Sequence, residues 1–557
     1  MNLRWLISIL YVVWLVQFTG AEVIKTPANV MVEIKLEARG EHKDQFNELT
    51  LDAIFTDPAG LRLRIPAFWA GGKAWKVRYA SPNVGSHEFR TECSDVNDTG
   101  LHGIEGAVEV EPYKGDNALY VHGPLRVDKS RRYLEHGDGT PFLWLGDTWW
   151  MGLCKRLGWP EEFKTLAADR KKKGFNVVQI VAGLYPDMPA FDPRGANEAG
   201  FPWEKDYARI RPEYFDAADQ RILYLVEQGF VPCIVGAWGY HLPWLGQEKM
   251  RQHQRYVYAR WGALPIVWCV AGELNLPYYL SPDFPNKGEK QTAEWEKVLG
   301  YARSINAFGR AITSHPTGVG KLSMRGALKD VSLLDFDMIQ TPHGQMEAVG
   351  PSVEAVRFSH GSKPPLPTVN AEPSYEMLMD KTPAEVCRRI FWVCWASGVK
   401  GYTYGANGIW QLNRRDHPYG NSPWGGGYGK ISWDEAMNLP GSTQVSLGKK
   451  LLSEFEWWKF EPQPTWAQWA EKMDKADAYT VPYGFGDEQV RMIYVPLRRA
   501  IMIQNLQAAA AYGGFYFDPV AGDRTVIERF QVDAAGTRTI APPSFDHDWV
   551  LVLQKAK

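Results

Sequence analysis

The alternation of apolar and polar positions changes twice along the chain. From about residue 22 to 120, short alternating runs are split by turn signals: "VMVEIKLEA", "LTLDAIFTDPAG", "LRLRIPAFWAGGKAWKVRYASPNVGSHEFRT" and "AVEVEPY", with Asp57-Pro58 and Gly71-Gly72 as punctuation. A period of two is that of a half-buried strand, and short strands at this spacing predict an antiparallel β-sandwich over 22–121. From about 122, continuous apolar runs replace the alternation: "FLWLGD" (142–147), "NVVQIVAG" (176–183), "VPCIVGAW" (231–238), "PIVWCVAGE" (265–273), "AITSHP" (311–316), "DMIQTPHG" (337–344), "LPTVNAE" (366–372) and "GYTYG" (401–405). Between most of them the period becomes helical. Phe215, Ala218, Ile222, Leu225 and Val226 fall on one face, as do Trp295, Val298, Leu299, Ala302 and Ile305. "KTPAEVCRRIFWVCW" offers Thr382 as an N-cap, Pro383 at the first helical position and Glu385 three after the cap. The connection 317–336 is the weakest as a helix.

Eight strand–helix repeats predict an α/β fold, a (β/α)8 TIM barrel over 122–462. A doubly wound open sheet usually carries a glycine-rich phosphate turn after its first strand; here that turn reads "LGDTWW", and no GxGxxG or Walker A pattern follows any strand. "GGGYG" at 425–429 lacks the strand–turn–helix context and reads as a mobile loop. Residues 463–557 return to strands, "VRMIYVPL", "AIMIQNL", "GGFYFDPVAGD" and "WVLVLQ", and predict a second, C-terminal β-sandwich.

Arg4 precedes an almost wholly apolar stretch, 5–16, and the small residues Thr19-Gly20-Ala21. The stretch is short of the ~20 residues a membrane span needs, so residues 1–21 read as an export signal, and the mature protein is expected to be secreted or periplasmic with no membrane span. The 62 basic and 64 acidic residues leave a net charge of -2, so no field favours nucleic acid or an anionic membrane, and Lys171, Lys172 and Lys173 read as a solvated helix end. Six cysteines are sparse for 557 residues; Cys233 and Cys269 lie in apolar runs and read as buried thiols, and no pair has zinc-ligand spacing. The 24 tryptophans suit core packing, and equally suit sugar rings, whose C–H faces stack on flat aromatic surfaces.

Barrels of this kind collect reactive groups where strands end. Glu273 ends the fourth predicted strand in phase with Val267, Cys269 and Ala271, which would point to the barrel interior; Glu372 ends the seventh, in phase with Asn370 and Thr368, and Pro373 stops the strand. Strands four and seven face each other across an eight-membered barrel, so the two carboxylates can straddle a glycosidic bond, one protonating the leaving oxygen and the other attacking the anomeric carbon. A lone glutamate at a strand end is more often a salt-bridge partner or loop ligand than a catalyst; two of them at the ends of strands four and seven, in a tryptophan-rich exported chain, favour catalysis. Asp147 after strand one could bind sugar hydroxyls or cap the next helix. Trp149 and Trp238 could stack on sugar or pack in the core. Tyr375 could donate to the second glutamate. His241, His315 and His343, after strands three, five and six, could bind substrate hydroxyls, or two of them could be ordinary loop histidines. Asn275 follows the first glutamate, and Tyr404, Asn407 and Trp410 follow strand eight and could close the pocket. A strand-one His-x-His, HExxH and GxSxG are all absent, so no metal or other cofactor is expected.

The strand-four and strand-seven glutamates resemble those of the large group of retaining (β/α)8 glycoside hydrolases. "GPLRVDKSRRYLEHGDGTPFLWLGDTWW" and "VNAEPSYE", with the sandwich motifs before them, resemble the apiosidase-like glycoside hydrolases of polysaccharide-degrading bacteria, and the tail "GGFYFDPVAGD…DWVLVL" is similar to a β-domain labelled collagen-binding in some relatives. The resemblance covers most of the chain. It implies Glu273 as general acid/base, Glu372 as nucleophile, and a plant or algal cell-wall glycan as substrate. One departure stands out: the wider group usually has Asn before the strand-four acid, whereas here Gly272 precedes it. A non-catalytic carbohydrate-binding or surface protein on the same barrel, and a glycan lyase or transferase, are the rival readings.

Overall fold

Eight parallel strands carry the middle of the chain in the computed structural model, which describes residues 16–17, 24–284 and 288–556. They are β1 (Trp144–Thr148), β2 (Val177–Val181), β3 (Val231–Trp238), β4 (Val267–Gly272), β5 (Ile312–Thr313), β6 (Asp337–Gln340), β7 (Thr368–Glu372) and β8 (Gly401–Tyr404). Their ladder order is β5-β4-β3-β2-β1-β8-β7-β6. The seam between β5 and β6 is joined by the Asp335 N–H donating to Ile312 O at 2.9 Å and by Thr313 Oγ1 donating to Phe336 O at 2.7 Å. The result is a nearly closed TIM barrel, as its sequence predicts.

Helices follow the strands at Glu161–Lys172, Pro212–Glu227, His241–Trp261, Gly288–Ser304, Val349–Gly361, Ala384–Ser397 and Pro440–Leu452. The predicted stripe Phe215, Ala218, Ile222, Leu225 and Val226 is buried on the second of them. The fifth connection holds only Met324–Ala327 and a 3-10 turn at Val331–Leu333. The helix after β7 starts one residue later than its capping pattern suggests: Pro383 occupies the N-cap, the Thr382 hydroxyl points to Gly344 O at 3.5 Å, and Glu385 pairs with Arg389 at 2.7 Å.

Strand alternation decides which side chains enter the barrel. Trp144 Nε1 donates to Thr403 Oγ1 (3.0 Å), which donates to Gln179 Oε1 (3.0 Å), and Gln179 Nε2 donates to Ala371 O (3.0 Å). This chain crosses the interior from β1 through β8 and β2 to β7. Alternate residues face the helices: Trp268 of β4 stacks on Tyr258 with ring centroids 3.9 Å apart.

The N-terminal sandwich has one sheet containing Val32–Glu37, Ala74–Tyr79 and Phe68–Trp69, and another of five strands between Ile24 and Glu111. A buried ion cluster fixes it to the barrel. Arg78 pairs with Glu33 of its own sheet and with Asp219 of the second barrel helix, and Arg260 Nη2 also donates to Asp219, at 2.9 Å. Burial would push the Asp219 carboxyl up, but the two guanidinium groups hold it far below the usual carboxylate range. At the other end, six-stranded and three-stranded sheets form the C-terminal domain. Its last strand, Trp549–Lys555, splits by parity: Trp549, Leu551 and Leu553 pack in a core of its own, while Val550 and Val552 join the barrel's core. All six cysteines are unpaired and buried. The predicted export signal, 1–21, lies outside the described residues apart from Val16 and Gln17. Among the described residues no helix is long and apolar enough to cross a membrane.

Candidate active site

A cavity of about 520 Å³ opens at the C-terminal ends of the barrel strands, and both Glu273 and Glu372 line it. Glu273 sits one residue beyond β4. Its φ of +39° lies in the left-handed region, where a non-glycine residue is strained, so the surrounding contacts must hold it. Two of those contacts are Trp238 Nε1 donating to Oε2 at 3.2 Å and Gln340 Nε2 donating to Oε1 at 3.1 Å. The glycine before it has a physical cause. A Cβ at position 272 would stand 2.3 Å from the Trp238 indole, so the tryptophan that holds the acid also excludes any side chain there.

Glu372 reaches the mouth by a different route. Thr368 and Asn370 turn to the helices, contacting Ser359 Oγ (2.8 Å) and Cys394 Sγ (3.4 Å), so their shared phase does not point inward. The ladder between β6 and β7 then shifts register at Ile339/Gln340, and the Ala371 carbonyl turns in to accept from Gln179. These irregularities bring Glu372 to the cavity. His343 Nε2 lies 3.2 Å from Oε1, and His315 Nε2 lies 3.3 Å from Oε2, within ion-pair range but off a hydrogen-bond axis.

The two carboxyl groups are driven apart. Burial, then the charges of Glu372 and Asp187, push Glu273 up to about 8. Burial acts on Glu372 too, but His343, His315 and Tyr375 outweigh it and bring its carboxyl below the ordinary value. Near neutrality the arrangement favours one protonated and one ionised carboxyl in the same cavity, the division of labour that acid/base and nucleophilic chemistry requires. Among the described residues no cluster of three or more His, Cys, Asp or Glu could hold a metal ion.

The other candidates divide. Trp238, His343, Tyr375 and Trp410 line the cavity, and Tyr375 Oη accepts from Trp150 Nε1 at 3.0 Å. His315 is fully buried behind Glu372, against the rings of Trp150 and Trp238. Asp147 does not reach the cavity: strand parity turns it outward, where Oδ2 accepts from Arg170 Nε (2.6 Å) and Trp149 Nε1 (2.7 Å). Trp149 packs edge-on against Phe163. Tyr404 also faces outward and donates to Glu376 at 2.5 Å, and Asn407 is buried with its side-chain oxygen accepting from Gln411. His241 is tied to Tyr185 O at 3.0 Å, and Asn275 Oδ1 accepts from the Thr317 N–H at 2.9 Å beside a neighbouring cavity.

The model of the apiosidase-like catalytic domain matches residues 128–459. The chain belongs to the apiosidase-like family. It is thereby a glycoside hydrolase, and its substrate class is carbohydrate. Residues 29–94 of this apiosidase-like chain match a domain family of unknown function, DUF5060. Its fold is shared with a structure described as a glycoside hydrolase, at 22% identity and a TM-score of 0.63 over 80% of this chain and 99% of that one. A glycoside hydrolase family 5 structure from Bacteroides vulgatus is likewise 22% identical, with a TM-score of 0.64 over 80% of this chain and 95% of its own. A further Bacteroides vulgatus structure, 16% identical with a TM-score of 0.67, covers 96% of this chain and 100% of its own, flanking domains included. No curated protein sequence matches the chain.

Several lining residues of the apiosidase-like site lie outside the sequence candidates: Trp150, Asp187, Gln340, Tyr279, Trp424 and Tyr428. Trp150 and Gln340 were within reach of parity reasoning, since each neighbours an outward-facing residue at a strand end. Asp187 adopts φ +55° in the loop after β2, and no local pattern marks it.

Proposed function

We propose that this apiosidase-like enzyme hydrolyses terminal glycosidic bonds of plant or algal cell-wall polysaccharide or oligosaccharide by a two-carboxylate mechanism. Glu273 donates its proton to the glycosidic oxygen as the C–O bond breaks, and ionised Glu372 attacks the anomeric carbon. Deprotonated Glu273 then takes a proton from water, which adds to the sugar and releases Glu372. The observation that carries this reading is the opposed setting of the two glutamates in one cavity: Glu273 held among acids and an indole, Glu372 beside two histidines. Trp238 and Trp410 are the stacking surfaces for the sugar, and His343 and Tyr375 orient Glu372. The apolar run after Arg4 supports export, so the work is done outside the cytoplasm. No cofactor enters any step.

The test is incubation of the full chain with a panel of aryl glycosides and wall polysaccharides, with products read by mass spectrometry and the first-formed anomer by NMR. Products that gain one water, with retained anomeric configuration, support the reading. Elimination or transfer products would assign the cavity to a lyase or transferase, and binding without turnover to a carbohydrate-binding protein.

A further inference from the structure

Resting on that reading, one residue bears on which sugars enter. Asp187 lines the same cavity as Glu273 and Glu372, in the loop after β2, and its left-handed φ of +55° is a conformation that its surroundings must hold. Burial and the charge of Glu372 push its carboxyl up, and the Tyr279 and Tyr428 hydroxyls facing it act the other way, favouring the carboxylate. Tyr279 comes from the segment after β4 and Tyr428 from the glycine-rich segment after β8, so three loops meet at this one acid. A carboxylate has about four lone-pair directions. Two phenols leave room for a further donor from inside the cavity.

The charge around it is one-sided. Asp187, Glu273, Glu372 and the exposed Glu347 line the cavity, and among the described residues the only Lys or Arg lining it is Lys381, whose side chain is exposed too. Arg194 stands beside the cavity wall, its Nη2 donating to the Asp187 backbone O at 3.5 Å, but its guanidinium is paired with Asp192 at 2.8 Å and lies over the Tyr419 ring at 4.7 Å. Burial leaves His315, behind Glu372, favouring its neutral form. A second carboxylate brought in on a ligand would meet like charge in a partly desolvated space with no guanidinium among its described lining residues to pair it, whereas a hydroxyl would meet a charged acceptor.

We propose that Asp187 is a specificity residue of this cavity: its carboxylate accepts a hydroxyl of an uncharged glycosyl unit and, with the ionised Glu372, turns away uronic acids. A purely structural Asp187, one that only ties three loops together, would affect all ligands alike. The proposal requires it to act on the difference between neutral and acidic sugars.

Ligand-observed NMR on the full chain tests this without requiring turnover. The uncharged set is methyl glucosides, galactosides and arabinofuranosides; the charged set is the matching methyl glucuronides and galacturonides. At least one uncharged ligand is expected to bind, at least roughly tenfold tighter than its uronide counterpart. Asp187→Asn should weaken the neutral ligand and shrink that ratio to a few-fold, while the double change Tyr279→Phe and Tyr428→Phe, which keeps the charge, should preserve it. A uronide bound as tightly as its neutral partner, or a ratio unchanged in Asp187→Asn, overturns the assignment and leaves the glycosidase reading standing. Binding of neither set, with no hydrolysis of the wider panel, overturns both.

Discussion

Gln340 donates its side-chain amide to Glu273 at 3.1 Å while its own backbone sits opposite Glu372 in the β6–β7 ladder. One residue therefore spans the two catalytic candidates. Neighbouring strands lie about 4.8 Å apart, so this relationship fixes Glu273 close to the strand that bears Glu372.

The amide also tunes the acid. Its N–H favours the ionised form of Glu273, so Gln340→Leu removes a contact that lowers the carboxyl's pKa. The alkaline limb of the pH–rate profile should move to higher pH, and kcat should fall roughly tenfold or more as the acid loses its orientation. A profile that stays in place would show that Gln340 does not govern Glu273.

The elevated Glu273 carboxyl makes a stability prediction with a definite sign. Between the ordinary glutamate range and about 8, the folded chain keeps a proton that the unfolded chain has lost, so stability falls as pH rises through that window. Glu273→Gln removes the ionisable group. Its Tm should match wild type near pH 4 and exceed it near pH 8, by an amount on the order of a few kcal/mol in unfolding free energy. Calorimetry at the two pH values measures the difference; equal offsets at both would contradict a buried, protonated acid. Activity follows the same group, falling as pH rises through about 8.

His343 acts on the opposite limb. Its contact with Glu372 at 3.2 Å stabilises the carboxylate, so His343→Ala should raise the Glu372 pKa and shift the acid limb to higher pH. The readout is kcat/KM against pH.

Asp147 should behave as a structural residue. It is fully buried against Arg170 and Trp149, away from the cavity. Asp147→Ala leaves a buried guanidinium short of a partner and should destabilise the fold by about 3–5 kcal/mol, while the folded fraction keeps kcat/KM within a few-fold of wild type. Denaturant unfolding and active-fraction kinetics separate these effects. A large loss in kcat/KM with unchanged stability would return Asp147 to the sugar.

The barrel was legible because buried parallel strands read as continuous apolar runs and their helices carry a 3.6-residue stripe. Glu273 was legible from parity, since Val267, Cys269 and Ala271 alternate with the helix-facing Trp268. Where parity was not applied, the reading went astray. Asp147 and Tyr404 alternate with the interior residues Gly146 and Thr403 and so face the helices, and the indole after β1 that lines the cavity is that of Trp150 rather than Trp149. Glu372 sits in the cavity although Thr368 and Asn370, in its phase, point outward; only the register shift beside Gln340 explains that, and such a shift has no signature in a single strand. Asp187 depends on loops meeting from three separate strands, a relation that short-range sequence pattern does not carry.

The central claim is that Glu273 and Glu372 perform chemistry together, and kcat/KM of the wild-type chain against Glu273→Gln and Glu372→Gln tests it most directly, on a glycan the wild type cleaves. The account predicts that each variant stays folded and loses about 10²-fold or more in kcat/KM. Either variant turning over that glycan at the wild-type rate would contradict it.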